Sequence, residues 1–542
     1  MKRRTFLATG WRLGAGLMAG SSFYACKSNQ VSAGNKAAYT SLRPASRFSH
    51  QFPLTDVDYM RHRSYIEEIP VPPYRWASDE AYEAFLDIKY GVRLHWGLYS
   101  AQNQVGGESW PFLNKSFAER QAYNEFYKTW NPAGFNAEEW MRLFKESGMK
   151  MFAFTSKHHE GFSMFDTKTR VKQRVNWVAA GGPKIEDCHL AYSIMETPFK
   201  RDVIKELTDA ARKHQIKVDL YFSHSDWYDA DFRPYGYHPL QVPAADTLLA
   251  AATPISKPPH HLPEAERARQ RLGDKLVMVP DPSPEEVKRM INRHRTQLKE
   301  LLSNYGPIDM LCLDIWLGPA VWPQMRETLL EIRKLQPNVM LRARGIGNYG
   351  DYFTPEGFVP GKDGNSDMPW FVIYPLGRTF SYEAAAEKHK GAAWIIKNLL
   401  DSMAKGGNFM VGIGPDQQGT FHPTAVAQLK EVGRWLKVNG AGIYATRARA
   451  GDLWSEGEHI RYSRSKDGKM VFAFSTAWPG SELVLQKVRA KEESEITLLG
   501  YATPLSWRND PAKGLVISIP EALQPEEARP CLHAWCFKIP LA

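Results

Sequence analysis

Cysteine is scarce in this chain, with five residues in 542. That is too few for a disulfide-stapled scaffold, and no pair has the spacing of a zinc motif. Cys188 and Cys312 stand alone, and Cys531 and Cys536, five apart in a strand-like segment, face opposite sides of it. Long apolar runs are missing too. Beyond the first 26 residues no stretch approaches the roughly 18 residues that a membrane span requires. A basic stripe is also absent: of the +10 net charge, four units come from Lys2, Arg3, Arg4 and Arg12 at the amino terminus. The other Lys and Arg are interleaved with Asp and Glu, as in the stretch from Pro284 to Glu300, which excludes nucleic acid as a partner. No internal repeat is found.

What is present begins with a leader. Residues 1–26, MKRRTFLATGWRLGAGLMAGSSFYAC, have a basic start, an apolar middle and small residues before Cys26. Arg3-Arg4-Thr5-Phe6-Leu7 resembles a twin-arginine signal, and Phe23-Tyr24-Ala25-Cys26 a lipoprotein cleavage box that makes Cys26 a lipidated amino terminus. The expectation is an exported, periplasmic or outer-membrane lipoprotein that meets the membrane only through that lipid. Residues 27–75 are polar with scattered Pro and read as a spacer.

The body is organised around Leu301 to Trp316, LLSNYGPIDMLCLDIW. A helix ends at Gly306-Pro307, and the apolar run Ile308 to Leu313 delivers Asp314 to a strand's carboxyl end. Around it, strand-length apolar runs alternate with helical patterns: Val92 to Trp96, helix Asn136 to Gly148, Met151 to Thr155, helix Lys200 to His214, Lys217 to Phe222, helix Pro284 to Ser303. Then come Met310 to Leu313, helix Trp322 to Leu335, Val339 to Leu341, helix Tyr382 to Lys405, Asn408 to Gly412 and helix Pro423 to Val438. Repeated βα units predict an α/β fold, an imperfect (β/α)8 TIM-like barrel over residues 76–445. A Pro-rich insertion between Asp229 and Pro284 is equally a lid over the site or an exposed loop. From 446 to 542 short alternating segments between Gly, Pro and Asp predict a C-terminal antiparallel β-sandwich.

In a parallel barrel, chemistry gathers at the carboxyl ends of the strands. There the first strand offers His95, the second Lys157, His158, His159 and Glu160, and the third His224, Asp226 and Trp227. Four consecutive titratable residues are costly to desolvate unless something polar lies against them. A metal-dependent hydrolase is the weaker alternative, because the first strand lacks His-x-His. Gly345 to Gly350 spells G-x-G-x-x-G, but no apolar-periodic helix follows, so a dinucleotide site is rejected. Seventeen Trp suit sugar faces stacked on rings, or equally a large aromatic core.

The motifs YGVRLHWG, TSKHHEGF, LYFSHSDW, LLSNYGPIDMLCLD, GNYGDYFTPE and SMAKGGNFMVGIGPDQQGTFHPTAVAQLKEVGRWLKVNGAGIYATR occur in order from Tyr90 to Arg447. Together they resemble glycoside hydrolase family 29, the α-L-fucosidases. The resemblance implies a retaining exo-hydrolase of terminal α-L-fucose on fucosylated oligosaccharides or glycoconjugates, with no metal and no cofactor. It makes Asp314 the nucleophile, flanked here by Leu313 and Ile315 where the family often has aromatic and Gly neighbours. Glu356 matches the acid/base of part of the family; other members use a Glu after Trp, and here Trp370 is followed by Phe371. His95, His158 and His159 match histidines that hold fucose hydroxyls, and Arg344 an arginine that contacts the sugar. Glu108 and Trp110 approximate a Glu-Trp pair, Tyr221 joins the substrate contacts, and Trp316 and Phe380 would wall the sugar's apolar face. Donors around Asp314 are expected to lower its pKa, and burial beside Tyr352 and Phe353 to raise that of Glu356. A silent fucose-binding protein and an α-L-galactosidase-like enzyme are the alternatives. Nothing in the sequence sets the oligomeric state.

Overall fold

The computed structural model describes residues 64–102, 108–233, 235–241, 281–360 and 368–541. The leader with Cys26, most of the spacer and most of the Pro-rich insertion lie outside the described residues. In chain order the strands of the first part are β1 (Tyr90–Leu94), β2 (Met151–Lys157), β3 (Gln173–Asn176), β4 (Lys184–Asp187), β5 (Lys217–Ser223), β6 (Met310–Asp314), β7 (Met340–Leu341), β8 (Phe371–Pro375) and β9 (Asn408–Ile413). Seven of them form one sheet in the order β7-β6-β5-β2-β1-β9-β8, and every neighbouring pair is parallel. β3 and β4 make a separate antiparallel hairpin.

The two ends of that sheet are joined by an irregular eighth stave. Parallel bridges link Arg342 with Tyr352, Phe353 with Trp370 and Glu356 with Ile373. Ala343 N donates to Tyr352 O at 2.8 Å on one side, and Phe371 N to Phe353 O at 3.1 Å on the other. Pro355 explains the irregularity, since it has no N–H to give to a ladder. The chain thus closes a TIM-like barrel, with Glu356 at the end of its least regular member.

Helices cover the outside, and their ends follow local chemistry. Pro284–Ser303 opens with a capping box between Ser283 and Glu286 and has Pro at its first turn, so its predicted bounds hold. Trp322–Leu335 also keeps its predicted bounds, again with Pro in its first turn. The helix expected from Tyr382 starts only at Ala392, because Gly391 takes φ 92° and only the short 3-10 turn Ala386–Lys388 precedes it. The strand β8 and the helix Asp79–Asp87 were not expected. The predicted spacer also runs too far: Ile66 and Tyr74 are buried, and Arg333 Nε donates to the Tyr74 hydroxyl at 3.0 Å.

Alternation along the strands sorts the barrel interior into layers. The lowest is apolar, with Met151, Met310, Met340, Phe371 and Met410 packed on Tyr82 and Phe85 of the Asp79–Asp87 helix. Burying each such side chain contributes about 1.5–3 kcal/mol. Above it lie Arg93, Asp219, Cys312 and Arg342, all buried. His95, Tyr221, Asp314 and Arg344 follow two residues further along the same strands, at the mouth.

The C-terminal part is the predicted pair of antiparallel sheets. Five strands, β10 (Ser455–Glu456), β11 (Ile460–Arg464), β12 (Met470–Ser475), β17 (Trp535–Pro540) and β14 (Thr497–Leu498), form one. β13 (Glu482–Leu485), β16 (Gly514–Ser518) and β15 (Trp507–Asp510) form the other, over a shared core of Leu485, Ile517 and Phe537. It is anchored to the barrel where Trp435 Nε1 donates to Ala534 O at 2.8 Å and Arg447 Nη1 to Asp87 at 2.8 Å. Cys188, Cys312, Cys531 and Cys536 are all free thiols. Among the described residues no helix is long and apolar enough to cross a membrane.

Candidate active site

Asp314 is the last residue of β6 and is 8% exposed. Oδ2 accepts the Tyr221 hydroxyl at 2.6 Å, and Oδ1 accepts Arg344 Nη1 at 2.9 Å and its neighbour Ile315 N at 2.9 Å. The last bond has a backbone cause. Ile315 lies in the left-handed region, φ 64°, a conformation that β-branched residues rarely take. That turn aims its N–H back at the carboxylate and its carbonyl at Gly345, where an added Cβ would come within 2.3 Å of Ile315 O. Gly345, itself at φ 79°, is required by this close approach.

Glu356 reaches the same place from the irregular stave. Its Oε1 lies 3.0 Å from Arg344 Nη1 and 2.9 Å from Arg342 Nη2. Because Asp314 Oδ1 is 2.9 Å from that same Arg344 nitrogen, the two carboxylate oxygens are at most 5.9 Å apart, the sum of 2.9 and 3.0.

Charge decides how each carboxyl holds its proton. Burial alone would push Asp314 up, but the Arg344 and Arg342 guanidiniums and the Tyr221 hydroxyl hold it well below the ordinary range. The expected upward shift of Glu356 is not found. Burial does raise it, yet Arg344 and Arg342 outweigh that and leave it below its usual value. With 38% of its side chain still exposed, its enclosure is only partial and does not overcome the two guanidiniums.

The histidines form the adjoining wall. His95 stacks on Phe380 at 5.3 Å and meets His158 edge-on at 5.6 Å. His158 Nδ1 pairs with Ser109 Oγ, and His159 Nδ1 lies 2.8 Å from Ser223 Oγ. Burial holds His95 and His159 well below the usual imidazole value, so both are neutral at physiological pH. His95 Nδ1 is buried with no hydrogen-bond partner among the described residues.

Aromatic rings continue this wall beyond His159. Trp110, 37% exposed, lies edge-on to His159 at 4.8 Å, to Trp227 at 5.5 Å and to Tyr237 at 5.8 Å. Trp316 adjoins Tyr237 at 5.5 Å, on the Trp110 side of the site. Glu108 is tied to the other side, its Oε1 accepting Phe380 N at 2.9 Å.

Not every residue singled out in the sequence lies here. Lys157 is fully buried beside Asp226 at 3.5 Å, and Arg293 Nη1 completes that pair at 2.5 Å from Asp226, so Lys157 supports the fold beneath the histidines. Arg342 was missed, although its alternation with Arg344 in LRARG puts both on one face of the strand end. Gly347–Tyr349 is a single 3-10 turn with no helix to cradle a dinucleotide. Among the described residues no group of three His, Cys, Asp or Glu side chains is arranged to hold a metal ion.

A family model described as Alpha-L-fucosidase matches residues 74–441, and one for the Alpha-L-fucosidase C-terminal domain matches residues 455–540. The chain belongs to the α-L-fucosidase family. Its similarity to named members is distant but long. It is 24% identical over 487 residues to the plasma α-L-fucosidase of Homo sapiens, covering 84% of this chain and 89% of that one. Among solved structures, α-L-fucosidase isoenzyme 1 from Paenibacillus thiaminolyticus superposes with a TM-score of 0.65 at 24% identity, over 86% of this chain and 99% of the other. A glycoside hydrolase family 29 α-L-fucosidase of Bacteroides thetaiotaomicron gives 0.62 at 20% identity, over 87% and 99%. That protein was solved as a trapped covalent intermediate with 2-fluoro-fucosyl fluoride. The two family matches coincide with the barrel and with the sandwich described above.

Proposed function

We propose that this fucosidase-family chain removes terminal α-L-fucose from fucosylated oligosaccharides or glycoconjugates, with retention of configuration. The observation that carries this is the meeting of Asp314 Oδ1 and Glu356 Oε1 on one Arg344 nitrogen, 2.9 and 3.0 Å away. A retaining pair stands about 5–5.5 Å apart, whereas an inverting pair needs about 6.5–9.5 Å to admit water.

In the first step an Asp314 oxygen attacks the anomeric carbon, the glycosidic C–O bond breaks, and its electron pair leaves with the aglycone oxygen as Glu356 gives that oxygen a proton. In the second, water attacks the same carbon, Glu356 takes its proton, and the Asp314 ester bond breaks to return the carboxylate. The low proton affinity of Asp314 keeps it an anion, ready to attack, before the first step, and makes it a good leaving group in the second. His95, His158, His159 and Arg344 would hold the sugar's hydroxyls, with Phe380 on one apolar side and Trp110 and Trp316 on the other. Glu108 would act through Phe380, whose N–H it accepts. The leader ending at Cys26 is assigned to export and lipid attachment, which puts the barrel in the periplasm or at the outer membrane.

The test is to follow an aryl α-L-fucoside by proton NMR. The α-anomer of fucose should form first and then mutarotate, and 2-fluoro-fucosyl fluoride should label the peptide containing Asp314. Early β-anomer would overturn retention. Tight fucoside binding without turnover on any linkage would make the chain a silent binder, and preference for α-L-galactosides would change the sugar.

A further inference from the structure

Directly beneath the carboxylates lies a layer of charge that makes or breaks no bond in the two steps above. Arg93 in β1, Asp219 in β5, Cys312 in β6 and Arg342 after β7 fill the barrel at that level, each 2% exposed or less. Cys312 Sγ sits between two cations, accepting Arg93 Nη2 at 2.7 Å and Arg342 Nη1 at 3.4 Å. Arg342 then reaches upward to both acids, with Nη1 3.5 Å from Asp314 Oδ1 and Nη2 2.9 Å from Glu356 Oε1.

We propose that Arg342, seated on Cys312, is a positioning residue that holds Glu356 over Asp314 and sets how readily Glu356 carries its proton. This rests on the assignment of those two residues as the acting pair. Arg344 touches both as well, but it is 21% exposed on the open side, where an incoming sugar competes for it. Arg342 is 1% exposed and enters from below, so its contacts persist with substrate in place. Glu356 needs such a support, because the stave that carries it is joined to its neighbours by isolated bridges and includes Pro355. The groups facing it are Arg342 and Arg344 from the β7 end, Asp314 from β6 and Arg93 from β1 below. Asp219 of β5 faces Arg93 and Arg342 in turn.

The thiol gives the layer its shape. Two guanidiniums on one small acceptor are kept from turning away from each other, and removing the sulfur, as in Cys312→Ala, takes from Arg342 its contact with Sγ. A guanidinium also offers separate nitrogens to two acids in a fixed planar fork, a geometry that the single nitrogen of an ammonium does not reproduce.

The experiment compares pH profiles of kcat/KM for wild type, Arg342→Gln, Arg342→Lys, Cys312→Ala and Cys312→Ser, using an α-L-fucoside with a poor leaving group. Loss of the positive charge should let Glu356 keep its proton to higher pH, so the alkaline limb in Arg342→Gln moves up by about one unit. Its kcat should fall about 10- to 100-fold, with KM changing less than about threefold. Arg342→Lys should restore the limb without the full rate. Cys312→Ala should move both readouts in the same direction by less, and Cys312→Ser should stay near wild type. A purely structural role would lower the amount of active enzyme and leave the limb where it is. An unmoved limb in both Arg342→Gln and Cys312→Ala overturns the proposal. If Arg342→Gln gives no cooperative melt, the Cys312 pair decides alone. Failure of wild type to release the α-anomer first would instead count against the assignment of the pair.

Discussion

Asp314 and Glu356 meet on one nitrogen, Arg344 Nη1, at 2.9 and 3.0 Å. The cation that keeps Asp314 ionised therefore also draws the proton off Glu356. The two steps proposed above ask opposite things of Glu356, a proton to give in the first and an empty oxygen in the second. The free enzyme is arranged for the second.

That conflict sets the pH dependence of the first step. Glu356 holds its proton only below its usual carboxyl value, because the two arginines outweigh its burial. Above that point the protonated fraction falls tenfold per pH unit. With a poor leaving group, kcat/KM should therefore decline steadily from the acid side toward neutrality. With an aryl leaving group that departs without a proton, it should stay nearly flat over the same range. Equal profiles for both substrates would contradict Glu356 as the acid.

Replacing the two acids should separate their roles. Asp314→Asn should lower kcat by roughly 10⁴-fold or more on every substrate, because no other group forms the covalent ester. Glu356→Gln should cost about 10²- to 10⁴-fold with a poor leaving group and much less with an activated one. Azide should restore turnover of the activated substrate in Glu356→Gln, since the nucleophile remains and azide needs no general base. Rescue of Asp314→Asn without a change in product configuration would count against the assignment.

Tyr221→Phe removes one hydroxyl, 2.6 Å from Asp314 Oδ2, and little else. A hydrogen bond to a charged acceptor contributes about 1.5–3 kcal/mol, so the expected loss in kcat/KM is about 10- to 150-fold. The acid limb should move up at the same time, because that hydroxyl helps keep the carboxylate deprotonated. A loss of rate with the limb unmoved would make Tyr221 a sugar contact only.

Much of this site was legible in the sequence because strand ends carry their polar residues in order. His95, His158, His159, Tyr221 and Asp314 follow apolar runs whose period and length mark them as barrel strands, and the structure brings them to one mouth. Two features were hidden. The eighth stave carries Pro355 and pairs only through isolated bridges, so it has no strand-like run to notice. The charged layer of Arg93, Asp219, Cys312 and Arg342 was invisible because its members lie far apart in sequence, and a buried Arg inside a strand run looks like an interruption. The error over Glu356 had the same source, since Tyr352 and Phe353 lie close to it in sequence while its nearest charges, Arg342 and Arg344, come from the chain just after β7.

Buried histidines predict how stability changes with pH. His95, His159 and His294 are held well below the usual imidazole value by burial first, and His238 is pushed down to about 3 by the same cause. The unfolded chain binds protons at these sites below about pH 6.5, whereas the folded chain does not. Each depressed group therefore withdraws stability as pH falls below that value, at about 1.4 kcal/mol per pH unit per histidine. Denaturant midpoints should drop steeply between neutral and mildly acid pH, against the direction in which Glu356 gains activity. A flat stability profile over that range would mean that these rings are charged or solvated in the folded chain.

The turn after Asp314 yields an inverted order of substitutions. Ile315 holds a left-handed φ of 64°, which costs a non-glycine residue about 1–3 kcal/mol. It is also 6% exposed, and burying such a side chain contributes about 1.5–3 kcal/mol, which is enough to keep Ile in the strained position. Ile315→Ala loses the packing and keeps the strain. Ile315→Gly loses the same packing but releases about 1–2 kcal/mol of strain, against about 0.5–1 kcal/mol of extra chain entropy in the unfolded state. Both variants should be less stable than wild type, and the Gly variant should exceed the Ala variant by up to about 1 kcal/mol, the reverse of the order expected inside a helix or strand. Activity should follow the same order, because Ile315 N–H reaches Asp314 Oδ1 only from this backbone conformation. An Ala variant that melts above the Gly variant would show that the turn has relaxed, and with it the 2.9 Å bond that fixes the carboxylate.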